Sequence, residues 1–233
     1  MQQLHKSKHE KYSQLLVVLV GVFLLAPFLN SGVGNVLNGL LLLSTIIAVI
    51  KSLKLPRAIV AIYTAIACTA FGLDLLSSMG WTREFNRAFA LLAQALFVLY
   101  LGGAAYWIGR DISRNREVTS DTVRGGISVY FLLGFVWSIF YSMAETLNAD
   151  AFSQRLVTDS TSFLKALHFS FTTLTTLGYG DIVPVSDVAL VLTNLEAIAG
   201  QMYSTIFIAI LVGGYLSRQN REELRAVLRD RDS

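Results

Sequence analysis

Two glycines, Gly178 and Gly180, alternate with larger residues in the segment 176–181, which reads Thr-Leu-Gly-Tyr-Gly-Asp. Successive carbonyl groups of an extended chain normally point in alternating directions. Aiming several of them at one axis requires alternate residues to adopt positive φ, which glycine does without the strain that a Cβ brings. A ring of such carbonyls can replace the water around a cation. The pattern therefore indicates a cation site built from backbone oxygens.

The residues that must position this segment lie just before it, at 162–175. Their pattern predicts a short helix with Thr161 or Ser162 as its N-cap. A helix of this length rises only about 21 Å, which is too short to cross a bilayer and return. We therefore expect a re-entrant helix that enters the membrane part of the way and delivers the chain to the segment 176–181.

The composition places the whole chain in a membrane, since 54% of its 233 residues are hydrophobic and only 15% are charged. We predict an all-α transmembrane fold with six spans, each close to the length that crosses a bilayer. The predicted spans are 12–30, 34–50, 57–79, 85–109, 124–147 and 187–216. The re-entrant helix falls between the fifth and the sixth. The single cysteine, Cys68, excludes an internal disulfide and a multi-cysteine metal site.

The distribution of lysine and arginine predicts the orientation. With the N-terminus inside, only four of the 19 basic residues fall on the outer face, namely Arg83, Arg87, Arg155 and Lys165. Cytoplasmic loops are enriched in these residues, so we expect a multi-pass protein of the plasma or inner membrane with both termini cytoplasmic. The basic patches have no interleaved aromatic residues, which argues against nucleic acid as a partner.

The segment from Thr175 to Asp181 resembles the selectivity filter of potassium channels, in which T-[VIL]-G-Y-G is followed by Asp. The resemblance extends over residues 125–218. It implies K⁺ sites at the carbonyls of Thr176, Leu177, Gly178 and Tyr179, with Gly180 completing the filter and Thr175 and Asp181 supporting it. It also implies a homotetramer, because one loop cannot surround an ion. No cofactor beyond permeant K⁺ and no enzymatic activity are expected.

The predicted spans and this resemblance together divide the chain into five parts. They are a cytoplasmic N-terminus (1–11), a peripheral four-helix membrane domain (12–110), a cytoplasmic linker (111–124), a pore domain (125–217) and a charged cytoplasmic tail (218–233). Span four carries no charge between Arg87 and Arg110. We therefore expect no voltage gating, with Arg83 and Arg87 acting as interfacial anchors and Asp74 as a partner for one of them.

Glu196 is the one charged residue in the apolar run from Val188 to Ser217, and an ionisable group at membrane depth is a functional candidate by default. One interpretation is a buried carboxyl bonded to threonines of the re-entrant helix or to His168. The other is a carboxylate that adds negative potential to an inner cavity. Gly200 occupies the position of the family's inner-helix hinge, and Gln201 and Ser204 are candidates to face the cavity.

Three residues near the candidate filter depart from the family pattern. His168 and Phe169 stand where many relatives carry a pair of tryptophans, and Thr172 stands where some carry a glutamate. We expect His168 to pack in the structure and not to sense pH. Glu145 and other acidic residues of the outer face could concentrate cations at the mouth, or could be ordinary loop charges.

These features together predict a potassium-selective channel that conducts passively. A nonselective cation channel, a potassium transporter subunit and a non-conducting signalling or scaffold protein are the alternatives. Expected partners are membrane lipids and copies of the same chain. A regulatory subunit or ligand is a further possible partner, because the sequence does not indicate what opens the pore.

Overall fold

The computed structural model describes residues 12–27, 57–77, 83–114, 118–156 and 162–231. Six helices form this part of the chain: α1 (Ser13–Leu25), α2 (Arg57–Ser77), α3 (Arg83–Arg114), α4 (Ser120–Leu147), α5 (Ser162–Leu174) and α6 (Asp187–Arg231). The described residues contain no β-strand, and the all-helical prediction is confirmed for them. The predicted N-terminus 1–11 and span 34–50 lie outside the described residues.

Three helical segments are long and apolar enough to cross a membrane, namely Phe85–Arg114, Ser120–Leu147 and Asp187–Gly214. Two more apolar segments are shorter, Ser13–Leu25 and Val60–Leu73, and fall below the roughly 17 residues that a span needs. The chain is thus a membrane protein with three candidate spanning helices in its described part. The count of six spans stays a prediction.

Helix α4 is the centre of the packing, because α1, α3, α5 and α6 all lie against it, whereas α2 packs on α3. A core of apolar side chains fills the contacts of α4 with α1, α3 and α5. It includes Leu15, Leu19, Ile108, Leu132 and Leu167, each no more than 1% exposed. Inside a bilayer the alternative surroundings of these side chains are lipid and not water, so the helices are held together by close van der Waals packing.

The start of α4 lies inside the segment predicted as a linker. A reciprocal capping box holds it: the Thr119 hydroxyl accepts the backbone N–H of Thr122 at 3.3 Å, and the Thr122 hydroxyl accepts that of Thr119 at 3.2 Å. Nearby, the backbone N–H of Tyr12 donates to Asp121 Oδ1 at 3.0 Å. The residues predicted as a linker therefore help to fasten α1 to α4.

Candidate functional site

Helix α5 ends at Leu174, and the chain then turns back beside the helix that delivered it. The backbone N–H groups of Leu177 and Gly178 both donate to the carbonyl of Thr172, at 2.8 and 3.1 Å. The N–H of Thr176 donates to the carbonyl of Thr173 at 2.9 Å. These bonds satisfy carbonyls that the end of a helix leaves free. They also fix where the segment 176–181 begins.

Positive φ recurs at every second residue of this segment. The angles are 59° at Thr176, 53° at Gly178 and 76° at Gly180. The two glycines are where the sequence predicted this conformation. Thr176 is the only non-glycine residue with positive φ in the described part of the chain, and a left-handed conformation costs a side-chain-bearing residue about 1–2 kcal/mol. The backbone thus has the alternation that can turn successive carbonyls toward one side.

The segment is open to its surroundings in the single chain. All residues from Thr175 to Asp181 are exposed, and the side chains of Leu177 and Tyr179 are 56% and 69% exposed. Apart from the histidine ring described next, the described residues of one chain do little to brace these two apolar side chains. A surface of this kind would be covered by another chain or by lipid.

His168 connects α5 to the far end of the segment. Its Nε2 lies 3.0 Å from Asp181 Oδ2, and its ring lies nearly parallel to that of Tyr179, with centroids 6.0 Å apart. The Gln154 amide adds a second restraint by donating to the Asp181 carbonyl at 2.9 Å. His168 packs as expected, but its polar contact was not predicted. Thr172 makes no such contact and donates to the carbonyl of Phe169 at 3.0 Å.

The charge at Asp181 is stabilised by this arrangement. Slight burial acts to raise the pKa of the carboxyl. The hydrogen bond from His168, the charge of His168 and backbone hydrogen bonds act to lower it, and the net pKa lies below its usual value. The carboxylate beside Gly180 is therefore protonated at a lower pH than an ordinary aspartate.

Glu196 lies in the interior, between α6, α5 and α4, and is 0% exposed. Its carboxyl is hydrogen-bonded to the hydroxyl groups of Ser170, at 2.6 Å, and Tyr141. The predicted partners, threonines of the re-entrant helix or His168, are therefore wrong. A carboxyl held deep in a helical interface needs hydroxyl donors. Ser170 and Tyr141 stand in apolar runs at membrane depth, and that position was the signal that could have identified them.

Gly200 lies against the end of α5. A Cβ at Gly200 would overlap the carbonyl oxygen of Leu174, which also accepts the Tyr130 hydroxyl at 3.2 Å. Helix α6 continues unbroken through Gly200, so its hinge role stays a prediction and its visible role is close packing. Gln201 is exposed and Ser204 partly exposed in the single chain.

Two charged residues that were predicted to lie near the outer face have structural partners. Arg87 Nη2 donates to the carbonyl of Leu147, the last residue of α4, at 2.7 Å. Glu145 is 6% exposed, and its carboxylate accepts the backbone N–H of Leu156 at 2.9 and 3.0 Å. Glu145 thus fastens the loop after α4 and is not an open mouth charge. The side chains of Asp74 and Arg83 lie outside what the structure describes.

Comparison with known proteins gives one family. A family described as "Ion channel" matches residues 126–214, a range that includes most of α4, all of α5, the segment 176–181 and the apolar part of α6. No curated protein and no solved structure matched the chain. Ion channels move ions and do not catalyse a reaction. Over residues 126–214 the chain is similar to the ion channel family, and this similarity points to a membrane transport protein.

Proposed function

We propose that this chain is one subunit of a homotetrameric, potassium-selective channel that conducts K⁺ passively and is not gated by voltage. The observation that carries the proposal is the positive φ at Thr176, Gly178 and Gly180 within the sequence Thr-Leu-Gly-Tyr-Gly. Alternating backbone of this kind supports K⁺ sites at the carbonyls of residues 176–179, with the Thr176 hydroxyl at the inner mouth.

The requirement for four chains follows from the number of loops. One chain contributes a single segment of this type, whereas an ion needs oxygens on all sides. The exposed state of Leu177 and Tyr179 supports assembly, because copies of the chain would cover them. The same holds for the exposed apolar residues of α6. They include Val191, Leu195, Ile198, Met202 and Ile206, each at least half exposed.

In the proposed arrangement α5 is a re-entrant pore helix. Its 13 residues rise about 20 Å, less than the roughly 30 Å thickness of the hydrocarbon core. Its C-terminal end would face the inner cavity and favour a cation there. Helix α4 forms the outer wall and α6 the lining of the inner pore. The distribution of basic residues favours a plasma or inner membrane with both termini on its cytoplasmic side.

Ion flux through the purified protein tests the proposal against its rivals. The protein is reconstituted into vesicles, and K⁺ and Na⁺ efflux are compared with those of protein-free vesicles. We expect K⁺ efflux far above Na⁺ efflux, down its gradient and without a coupled ion. Equal K⁺ and Na⁺ efflux would indicate a nonselective channel, and efflux that requires a second ion gradient would indicate a transporter. Absence of flux from an intact oligomer would favour a signalling or scaffold role.

A further inference from the structure

Three fully buried side chains, one from each of α4, α5 and α6, meet beside the candidate filter. Tyr141, Ser170 and Glu196 are each 0% exposed. The Tyr141 hydroxyl donates to Glu196 Oε2. Ser170 Oγ lies 2.6 Å from Glu196 Oε1 and 2.8 Å from the carbonyl oxygen of Gly134 in α4. Ser170 thus stands between two oxygen atoms at hydrogen-bonding distance.

Counting protons shows what these contacts require. A serine hydroxyl has one proton, a backbone carbonyl only accepts, and an ionised carboxylate only accepts. If Glu196 is ionised, Ser170 can bond to Glu196 or to Gly134 but not to both, and one close oxygen–oxygen contact has no proton. If Glu196 carries a proton on Oε1, it donates to Ser170 and Ser170 donates to Gly134. Every contact then has its proton.

The residues around Glu196 also favour its protonated form. Among the described residues, the hydrogen-bond partners of Glu196 are two hydroxyl groups, and no lysine, arginine or histidine is paired with it. An ionised carboxylate in such an interior would lack a compensating charge. Aromatic rings cover the site, because the Tyr141 ring packs edge-to-face on Phe169 and Phe152 at centroid distances of 4.8 and 5.6 Å.

We infer that Glu196 is a protonated carboxylic acid in a hydrogen-bond chain from Tyr141 through Glu196 and Ser170 to the Gly134 carbonyl. In this role Glu196 is a positioning residue that fixes α5 to α4 and α6. Ser170 lies one helical turn before Leu174, the last residue of α5. These hydrogen bonds therefore fix where the segment 176–181 starts. The effect on conduction rests on the proposed channel function, whereas the protonation does not.

Infrared spectroscopy of the full chain in lipid tests the protonation directly. The spectrum of Glu196→Gln is subtracted from that of the unsubstituted protein at neutral pH. We expect the difference to contain the C=O stretching band of a protonated carboxylic acid, with a small shift in D₂O. Loss of carboxylate bands in place of this band would overturn the inference. This measurement needs no ion flux, so it stays decisive if the proposed function fails.

The positioning role is tested by a pair of variants at Glu196. Glutamine reproduces the neutral acid, because its oxygen accepts from Tyr141 and its amide donates to Ser170. We expect Glu196→Gln to keep K⁺ flux within about twofold, whereas Glu196→Ala lowers flux per tetramer at least about tenfold, since Ser170 and Tyr141 lose their partner. A Glu196→Gln protein that assembles but loses flux would overturn the inference, because an ionised cavity charge predicts that result.

Two buried serines provide a matched comparison that does not depend on Glu196 variants folding. Ser170 joins three helices, whereas Ser138 is equally buried, at 1% exposed, and donates only to Phe135 of its own helix at 2.7 Å. We expect Ser170→Ala to lower the thermal stability and flux of the tetramer and to shift the acid C=O band. Ser138→Ala should leave all three unchanged. Equal effects of the two substitutions would contradict the inferred chain.

Discussion

His168 and Asp181, thirteen residues apart, are joined by a 3.0 Å contact between Nε2 and Oδ2. The contact spans the candidate filter, since His168 belongs to α5 and Asp181 directly follows Gly180. Tyr179 lies under the same imidazole ring. One side chain of α5 therefore restrains both the last aromatic residue of the segment and the carboxylate beyond it.

This contact predicts how external acid acts on the mouth. The pKa of Asp181 is lowered, mainly by the hydrogen bond and charge of His168 acting against slight burial. A carboxyl with a depressed pKa stabilises the folded mouth above its unfolded pKa of about 4, and this contribution is lost as pH falls through the lower, folded value. We expect K⁺ current to be lost at a lower external pH than an aspartate with its usual pKa would give.

His168→Phe is the informative variant, because it keeps a ring beside Tyr179 and removes the hydrogen bond and the charge. The pKa of Asp181 should rise toward its usual value, so acid inhibition should begin at higher external pH. The measurement is a titration of K⁺ current in both proteins. His168→Gln retains a donor and should lie between them. The same inhibition midpoint in native protein and His168→Phe would show that the contact does not govern the mouth.

Replacing Gly178 should abolish selectivity for K⁺ over Na⁺. A Cβ at its φ of 53° adds strain of about 1–2 kcal/mol and turns a carbonyl away. Gly109→Ala is the matched control, because a Cβ at either glycine meets no atom of the described residues within 4 Å, and of the two glycines Gly178 has positive φ. Reversal potentials with K⁺ and Na⁺ on opposite sides of the membrane give the ratio of K⁺ to Na⁺ permeability. Retained selectivity in Gly178→Ala would refute the filter assignment.

The conformations of the candidate filter were only partly predictable from sequence. Gly178 and Gly180 could be identified because residue type itself signals positive φ. Thr176 could not, since a β-branched residue rarely adopts that conformation and only the bonds of the turn after α5 hold it there. Positive φ can therefore be predicted where the residue itself is glycine. It cannot be predicted from residue type where neighbouring hydrogen bonds impose it, as they do at Thr176.

Side-chain partners were less predictable than burial. One of the two interpretations of Glu196 placed it in the interior, where the structure has it. Its partners come from helices 55 and 26 residues away in sequence, and helical periodicity does not specify which faces meet. The segment 111–124 stays a predicted linker, but helices extend into it from both sides. Helix α3 ends at Arg114, and the capping box at Thr119 starts α4.

Gly200 should be intolerant of alanine. Its Cβ would overlap the Leu174 carbonyl, so α5 would have to move, and overpacking of this kind costs about 1–3 kcal/mol. Gly213→Ala in the same helix is the control, because a Cβ there meets nothing within 4 Å. We expect Gly200→Ala to lower the thermal stability and flux of the assembled protein, and Gly213→Ala to do neither. Equal melting temperatures would show that α6 and α5 are not packed this closely.

The contact of Arg87 with the end of α4 bears on how opening of the proposed channel depends on voltage. Steep gating requires about three to four charges per subunit to move through the membrane field, each worth roughly 2.3 kcal/mol per 100 mV. Helix α3 has no charged residue between Arg87 and Arg110, and Arg87 is bonded to the Leu147 carbonyl at 2.7 Å. An arginine at a helix C-terminus is favourably placed. In sequence, the predicted spans one to three contain Asp74 as their one acidic residue, which does not make a ladder of countercharges.

Glu196 adds no gating charge if it is protonated, as we infer, so open probability should change only weakly between strongly negative and positive potentials. Single-channel recording at several voltages measures this directly. Arg87→Gln, which keeps a donor for Leu147 and removes the charge, should leave the weak dependence unchanged. An open probability that rises with an effective charge near that of sensor-bearing channels would mean that α3 moves across the membrane field, and that its place in the proposed topology is wrong.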